Sequence, residues 1–417
     1  MALDKDRTPA EGAQYSAVLS LEVGDSTIDA KDILLLYLIE DIFSFSMTGK
    51  IRFIDRIGML EYGPVTGSET LTIFIGEDDT ELEFDIFKIS RISQLTEADS
   101  ATQNVIEIVF VDKLFIPLTQ KRYNISWTDT KSSAIVSHIC THMLDNITFK
   151  EFEDSRETLP NFYMPYWTPQ EAILWLMKRS SGATSGQAGY LFYSNMLGKN
   201  FVTIDKLMNS ETVEKDHYVF DATDQYYKNK ILGWSISGLD STSLKGIRGG
   251  HRMGYNSSTK TFIDNDYTYV DEIAKHTMLG KSTLFQDISD ETIDYRLEGE
   301  NDSALLDNIY NHEFVRRYSL QQGVSIMVKG FTHRSAGNLI EINWPSAHPA
   351  QKINKPLKGL YLIKSITHQF AYNQKPAYLQ KMILIKNAYT ELELKNVGTM
   401  VKSTKSNVFG SVGSLGG

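Results

Sequence analysis

A run of strands that occurs twice constrains this chain more than any other feature. Toward the N-terminus, residues 67–73 lead to 84–90 and then to 104–110; toward the C-terminus, residues 337–342 lead to 360–366 and then to 378–386. Strand order and strand length agree, and each middle strand carries a lysine, Lys88 in one and Lys364 in the other. Any two β-meanders share some of this, so the residue match alone leaves coincidence and duplication both open. If the unit is duplicated, the chain offers two equivalent surfaces, which is a device for symmetry rather than an active site.

The rest of the composition supports a large folded β-rich chain. At 417 residues it suits two to four domains with real cores. Aromatic residues make up 11%, with 21 Tyr and 20 Phe, which favours strands and broad contact surfaces. The net charge is −10 and no stretch is strongly basic, which argues against sequence-specific nucleic-acid binding, since that rests on neutralising phosphates. The single cysteine, Cys140, allows no intramolecular disulfide and fits folding in a reducing cytosol. Residues 1–14 are polar and unlike a signal peptide, and the longest apolar run, 33–39, is too short to span a bilayer. The expectation is a soluble protein made in a cytoplasm and not exported by a conventional signal.

Along the chain, strands are expected at 15–23, 33–39, 49–54, 69–75, 82–95 and 104–110. Several alternate, as with Val105, Glu107 and Val109 against Ile106, Ile108 and Phe110. So many short antiparallel strands suggest a small barrel or sandwich. After Pro117 the character changes. Residues 131–144 read as a helix with Ile135, Ile139 and Met143 on one stripe, flanked by Val136 and Cys140. Thr168-Pro169-Gln170-Glu171 is a helix start with a cap, a proline at the first helical position and a capping box. A hairpin follows, with its turn expected at Gly198-Lys199-Asn200. Strand pattern returns at 231–237 and in a hairpin around 252–269, a helical pattern follows at 269–278, and a longer helix is expected from Ser303 to about 320. The predicted organisation is a flexible arm (1–13), a first β-barrel (14–118), an α+β domain (119–228), a discontinuous second β-barrel (229–255 and 320–395) with an insert of hairpin and helices (256–319), and a flexible tail (396–417).

No catalytic constellation emerges. His138 and His142 stand one helical turn apart, but Ile139 occupies the place where a zinc-protease helix needs a glutamate, so a solvated helix face is favoured. Gly280-Lys281-Ser282 resembles the end of a phosphate loop, yet Lys275 stands where the loop needs glycine. Gly246, Gly249, Gly250 and Gly254 do not give the dinucleotide spacing; a hairpin or a subunit contact explains them better. Acidic clusters such as Glu77-Asp78-Asp79 and 287–294 read as solvated loops, and no Gly-x-Ser-x-Gly elbow exists. No cofactor, metal or catalytic residue is expected.

Three stretches taken in order carry a family resemblance. The first is Tyr37-Leu38-Ile39-Glu40-Asp41-Ile42-Phe43 with Gly49-Lys50-Ile51-Arg52-Phe53-Ile54-Asp55 and Gly67-Ser68-Glu69. The second is 163–175 with the later Gly189-Tyr190-Leu191-Phe192-Tyr193. The third is Val328-Lys329-Gly330-Phe331 through 338–345, then Gly359-Leu360-Tyr361-Leu362-Ile363, His368 and Leu384-Ile385-Lys386. Together, over roughly residues 15–390, they resemble the central baseplate hub protein of contractile-tailed bacteriophages, with late-control-type tail proteins and the N-terminal half of type VI secretion spikes as relatives. The resemblance implies two tail-tube-like antiparallel β-barrels plus α+β segments, and a homotrimer whose ring of six barrels meets a sixfold tail tube at one end and a threefold spike at the other. Its implied partners are tail-tube proteins, baseplate wedge proteins and a separate trimeric spike, with phage DNA passing through the lumen unbound; its place is the virion. Candidate ring, interface or lumen residues are Asp41, Glu69, Glu77, Asp78, Asp79, Gly330 and Gly359, with lumen loops at 77–83 and 97–99. No spike sequence follows residue 395, and no lysozyme-like or peptidase segment is present, which assigns those tasks to other chains. The alternatives are a hub of a non-contractile tail or an injection machine, a cell-wall hydrolase on a β scaffold, and a carbohydrate-binding adhesin.

Overall fold

A computed structural model describes residues 19–389 except 24–25, 57, 60–65, 76–79, 96–102, 145–146, 213–217, 221–228, 237–248, 257–259, 268–270, 272–273, 284–291, 297–302, 317–321, 346–352, 355–356 and 374. The chain is β-rich with antiparallel sheets, as the strand pattern predicts. Its first part contains strands β1 (Leu19–Val23), β2 (Ser26–Ile28), β3 (Ile33–Asp41), β4 (Thr48–Asp55), β5 (Thr70–Ile75), β6 (Thr80–Leu95) and β7 (Gln103–Asp112). A middle part follows: α1 (Phe115–Gln120), β8 (Tyr123–Lys131), α2 (Ser132–Met143), β9 (Phe149–Phe152), β10 (Thr158–Trp167), α3 (Pro169–Lys178), β11 (Tyr190–Asn195), β12 (Gly198–Thr203) and α4 (Ile204–Met208). Then come β13 (Tyr218–Val219), β14 (Ile231–Ile236), β15 (Gly249–Asn256), β16 (Thr261–Tyr267), β17 (Ser282–Thr283), β18 (Thr292–Arg296) and α5 (Ser303–Phe314). The last strands are β19 (Gln322–Lys329), β20 (Leu339–Asn343), β21 (Gly359–Asn373), β22 (Lys375–Lys386) and β23 (Ala388–Tyr389).

One 13-stranded sheet contains two copies of the same path. The first runs β3-β4-β7-β6-β5-β1 and the second β14-β19-β22-β21-β20-β13, each neighbour hydrogen-bonded to the next. They differ at the last step, where β1 lies antiparallel to β5 and β13 parallel to β20. The two copies are hereafter the first and second modules. Among the described residues neither path closes on itself; instead β3 pairs with β21, and the modules form one continuous sheet.

The likeness extends to register. In β3, Ile33 lies opposite Phe53 and Leu35 opposite Arg52, so Leu34 is the extra residue of a bulge. In β14, Ile231 lies opposite Val328 and Gly233 opposite Met327, leaving Leu232 in the same role. A second shared bulge falls at Phe87 in β6 and at Lys364 in β21. The lysine correspondence read from the sequence is therefore one residue out of step: Lys364 matches Phe87, and Lys88 matches Ser365.

With this register the cores superpose position by position. Side chains at every second residue face one side of a strand, so a shared register puts the same positions inward. Ile51 and Phe53 match Ile326 and Val328; Leu71, Ile73 and Ile75 match Ile340, Ile342 and Trp344; Phe84 and Ile86 match Tyr361 and Ile363; Ile108 and Phe110 match Met382 and Leu384. All are buried, the first set in one hydrophobic cluster and the second in another. The inward face of each module thus curls around its own core.

The middle part packs a third core around α2 and α3. Thr168 accepts from the Glu171 N–H, Glu171 reaches back to the Thr168 N–H, and Pro169 opens α3. The turn between β11 and β12 is Met196-Leu197, two residues before the expected one, and Gly198 to Asn200 belong to β12. Helix α5 covers Ser303–Phe314 and passes into a π-turn at 315–316, with Tyr310 and Phe314 buried; the rest of the expected helix, to about 320, lies outside the described residues. The hairpin expected around 252–269 is β15–β16, which accounts for Gly249, Gly250 and Gly254; Gly246 lies outside the described residues. The rings of His138 and His142 stack at 4.2 Å, and no group of three metal-ligating side chains exists among the described residues. No described helix is long and apolar enough to cross a membrane.

Glycine is required where strands pass under aromatic rings, which shield the exposed backbone. A Cβ at Gly330 would lie 2.1 Å from atoms of the Tyr378 ring. Gly330→Ala should therefore cost about 1–3 kcal/mol in urea unfolding, the usual range for overpacking. At Gly233 the nearest atom to an added Cβ is 3.9 Å away; Gly233→Ala should stay within about 0.5 kcal/mol of the parent.

Candidate functional site

The seam where β3 meets β21 is the place at which separate parts of the chain converge. Leu36, Leu38 and Glu40 alternate along β3 and face the same side. Opposite them on β21 lie Phe370, His368 and Ile366. Leu36 and Leu38 are fully buried, and Phe370 and Tyr378 of the second module belong to the first module's core cluster. Phe370 stacks on Tyr378 with ring centroids 4.2 Å apart. The seam is thus both a backbone ladder and a shared apolar core.

Glu40 extends the same inward face, and it is a carboxylate with 0% exposure. A buried charge is tolerable only with partners. Its Oε1 accepts the N–H of Met196 at 2.7 Å, its Oε2 accepts the N–H of Ala336 at 2.8 Å, and His368 Nε2 lies 3.4 Å from Oε1. Met196 is in the β11–β12 turn and Ala336 in the loop before β20. One side chain of the first module therefore holds backbone of the middle part and of the second module.

The polar chain continues from His368. Its Nδ1 lies 2.8 Å from the Tyr378 hydroxyl, and the Gln380 amide donates to that hydroxyl at 3.0 Å and to the Phe331 carbonyl at 2.8 Å. Gln380 Oε1 accepts from Arg334 at 3.2 Å and from the Phe331 N–H at 3.2 Å. Arg334, also fully buried, donates to the Lys329 carbonyl at 2.7 Å and to Asn229 Oδ1 at 2.9 Å, with its guanidinium 5.2 Å from the Tyr218 ring centre. Burial pushes the Tyr378 hydroxyl well above its ordinary range, so it stays protonated.

The hairpin β11–β12 is locked in place here. Besides Met196, Asn195 donates to the Ala336 carbonyl at 3.0 Å. Gly337 has φ +94°, a conformation L side chains rarely adopt, and a Cβ there would lie 2.2 Å from the Tyr193 hydroxyl oxygen. The equivalent entry to β5 also uses a positive-φ glycine, Gly67 at +95°.

Of the residues singled out from sequence, two lie at this seam. Asp41 ends β3 opposite Ser365, accepts from the Phe43 N–H at 2.8 Å and stands 4.0 Å from Lys364. Burial raises its carboxyl above the usual range, against the opposing pull of Phe43 and Lys364. Gly330 packs under Tyr378. Gly359 opens β21 with φ +119° and pairs with Ile342, away from the β3 contact. Glu69 serves its own loop: hydrogen bonds from Thr66, joined by the Gly67 N–H, hold its carboxyl down at about 2. Glu77, Asp78, Asp79 and the 97–99 loop lie outside the described residues. Glu40, Tyr378, Gln380 and Arg334 went unpicked. Glu40 carried a signal, being a charge in phase with Leu36 and Leu38 on the face of β3 that is otherwise apolar.

Replacing Glu40 with alanine leaves two buried N–H groups without an acceptor, each worth about 1–3 kcal/mol. Glu40→Ala should lower stability by about 2–6 kcal/mol in urea unfolding and open residues 190–203 to limited proteolysis, while Glu40→Gln, which keeps an acceptor, should lose less.

No family model matches the sequence, and no curated protein matches it. Solved structures do. A 43 kDa tail protein of prophage MuSo2 from Shewanella oneidensis aligns over 88% of this chain and 98% of its own, with 12% identity and a TM-score of 0.59. A tail protein from Neisseria meningitidis MC58 aligns over 89% of this chain and 97% of its own, with 9% identity and a TM-score of 0.59. The chain therefore has the fold of phage tail proteins, in agreement with the resemblance carried by its sequence motifs.

Proposed function

We propose that this chain is a structural component of a phage tail baseplate, a hub in which three copies form a ring of six equivalent modules. The observation that carries the reading is the matching register of the two modules, with two bulges in common. A duplicated module inside one chain lets a threefold assembly offer a sixfold rim. One end of the ring then fits a sixfold tube, and the other keeps threefold symmetry for a separate spike. The middle part, with helices and the β8–β10 ribbon, faces neighbouring baseplate proteins. Its exposed Tyr163 and Tyr166 suit that role.

Three copies at −10 each carry −30 formal charges. A lumen lined by part of that charge lets DNA slide without sticking, because like charge offers phosphates no partner. Glu77, Asp78 and Asp79 are our candidates for that lining. No step of this role needs a catalytic residue or a cofactor.

Native mass spectrometry of the purified protein should give a trimer of the 47.2 kDa chain, and negative-stain images should show a ring with a six-lobed rim and a central channel. A compact monomer at all concentrations would remove the reading. In particles carrying Glu77→Gln, Asp78→Asn and Asp79→Asn together, assembly should be normal and genome ejection slower; unchanged ejection kinetics would reject the lumen assignment.

A further inference from the structure

The seam inside one chain has a vacant twin. Strand β21 gives residues 359–362 to β20 and residues 365–371 to β3, both on the side away from β22. Its counterpart β6 gives residues 80–85 to β5, and no described strand pairs with its second half on that side. Likewise β3 has β4 on one side and β21 on the other, whereas β14 has β19 on one side and no described strand on the other. An open strand edge is a template for pairing with another chain.

Side chains mark the same vacancy. Leu36 and Leu38 are 0% exposed beneath β21. Their register counterparts on β14 are Trp234 and Ile236, which are 53% and 39% exposed. Leu232, at the shared bulge, is exposed as well. On the other side of the vacancy, Phe87 is 63% exposed at the bulge where Lys364 touches Asp41 and the Phe43 ring in the filled seam. Two separate apolar patches therefore remain at the two strands that the repeat makes counterparts of a completed contact.

From this we infer that β14 of one copy adds, antiparallel, to the second half of β6 in the next copy, in the register that β3 takes on β21. His368 and Arg91 occupy equivalent positions, opposite Gln380 and Ile106, and Leu38 and Ile236 are equivalent through Gly49 and Val324. Because His368 lies opposite Leu38, Arg91 of one copy lies opposite Ile236 of the next. The contact is head to tail, so repetition closes a ring or extends a filament. The inference rests on the trimeric ring proposed above and names the strands that close it.

Disulfide trapping tests it. Directly opposed residues in an antiparallel pair have Cα atoms about 4.5–5.5 Å apart, within disulfide reach. The native Cys140 is fully buried, and burial pushes its thiol up to about 12, so it does not compete. Full-length protein carrying Arg91→Cys and Ile236→Cys, oxidised mildly, should run as covalent dimer and trimer on a non-reducing denaturing gel. Ile236→Cys with Glu81→Cys should not, since Glu81 already pairs with Phe74. Ile236→Glu should convert the trimer seen by native mass spectrometry to monomer with an unchanged circular dichroism spectrum. A trimer in which Arg91→Cys and Ile236→Cys fail to link, or which survives Ile236→Glu, overturns this strand pairing and leaves the ring reading standing. A protein that stays monomeric and does not link overturns both.

Discussion

A single buried carboxylate sets the geometry on which the rest of this molecule depends. Glu40 is held by the N–H groups of Met196 and Ala336 with His368 beside it, so its burial is compensated only when all three parts of the chain are docked together. A one-residue slip of β3 against β21 would turn Glu40 to the outer face and bring Ile39 or Asp41 inward. The misregistered state would lose two charge-assisted hydrogen bonds and strand Met196 and Ala336. An apolar side chain at residue 40 would leave those N–H groups without an acceptor in either register and so would not select between them. The network from Glu40 through His368, Tyr378 and Gln380 to Arg334 thus couples the register of docking to stability.

Much of this fold is legible from the sequence because strand alternation and helix caps are local signals. The strands of the first module follow from alternation such as Val105 to Phe110, and α3 follows from Thr168, Pro169 and Glu171. The failures share a cause. Gly198-Lys199-Asn200 has turn chemistry, yet the turn is Met196-Leu197, an apolar pair that would be poor in an isolated hairpin. Met196 is there because its side chain enters the first module's core and its N–H meets Glu40, contacts some 150 residues away in sequence. Lys88 and Lys364 were aligned by residue type, whereas the bulges show that Phe87 is the true counterpart of Lys364. Long-range partners decide the turn and the lysine alignment, and no local pattern encodes them.

The two modules have diverged in ways that keep their volume and change their faces. Gly49 opposite Phe110 corresponds to Val324 opposite Leu384, a small-plus-large pair exchanged for two of middle size. Such swaps are tolerated because total core volume is kept. Ile106, inward in the first module, becomes Gln380 in the second, and there it serves the seam by joining Tyr378, Phe331 and Arg334. The first module has no need of that glutamine at Ile106, because no described strand of its own chain pairs with β6 at the matching place. Polarity in the core has followed the contact, not the fold.

This asymmetry bears on how an assembly could close. If every junction between modules used the Glu40 network, half of them would require it to form between chains, burying a charge on encounter and paying its desolvation each time. The chain confines the charged seam to the junction made once, during folding. At the outer junction it presents Trp234, Ile236 and Phe87 instead, groups whose burial is favourable without exact polar partners. Covalent linkage of the two modules makes the polar junction intramolecular, where its register can be checked by a whole folded domain. The apolar junction then needs only the shape that the shared bulges already give it.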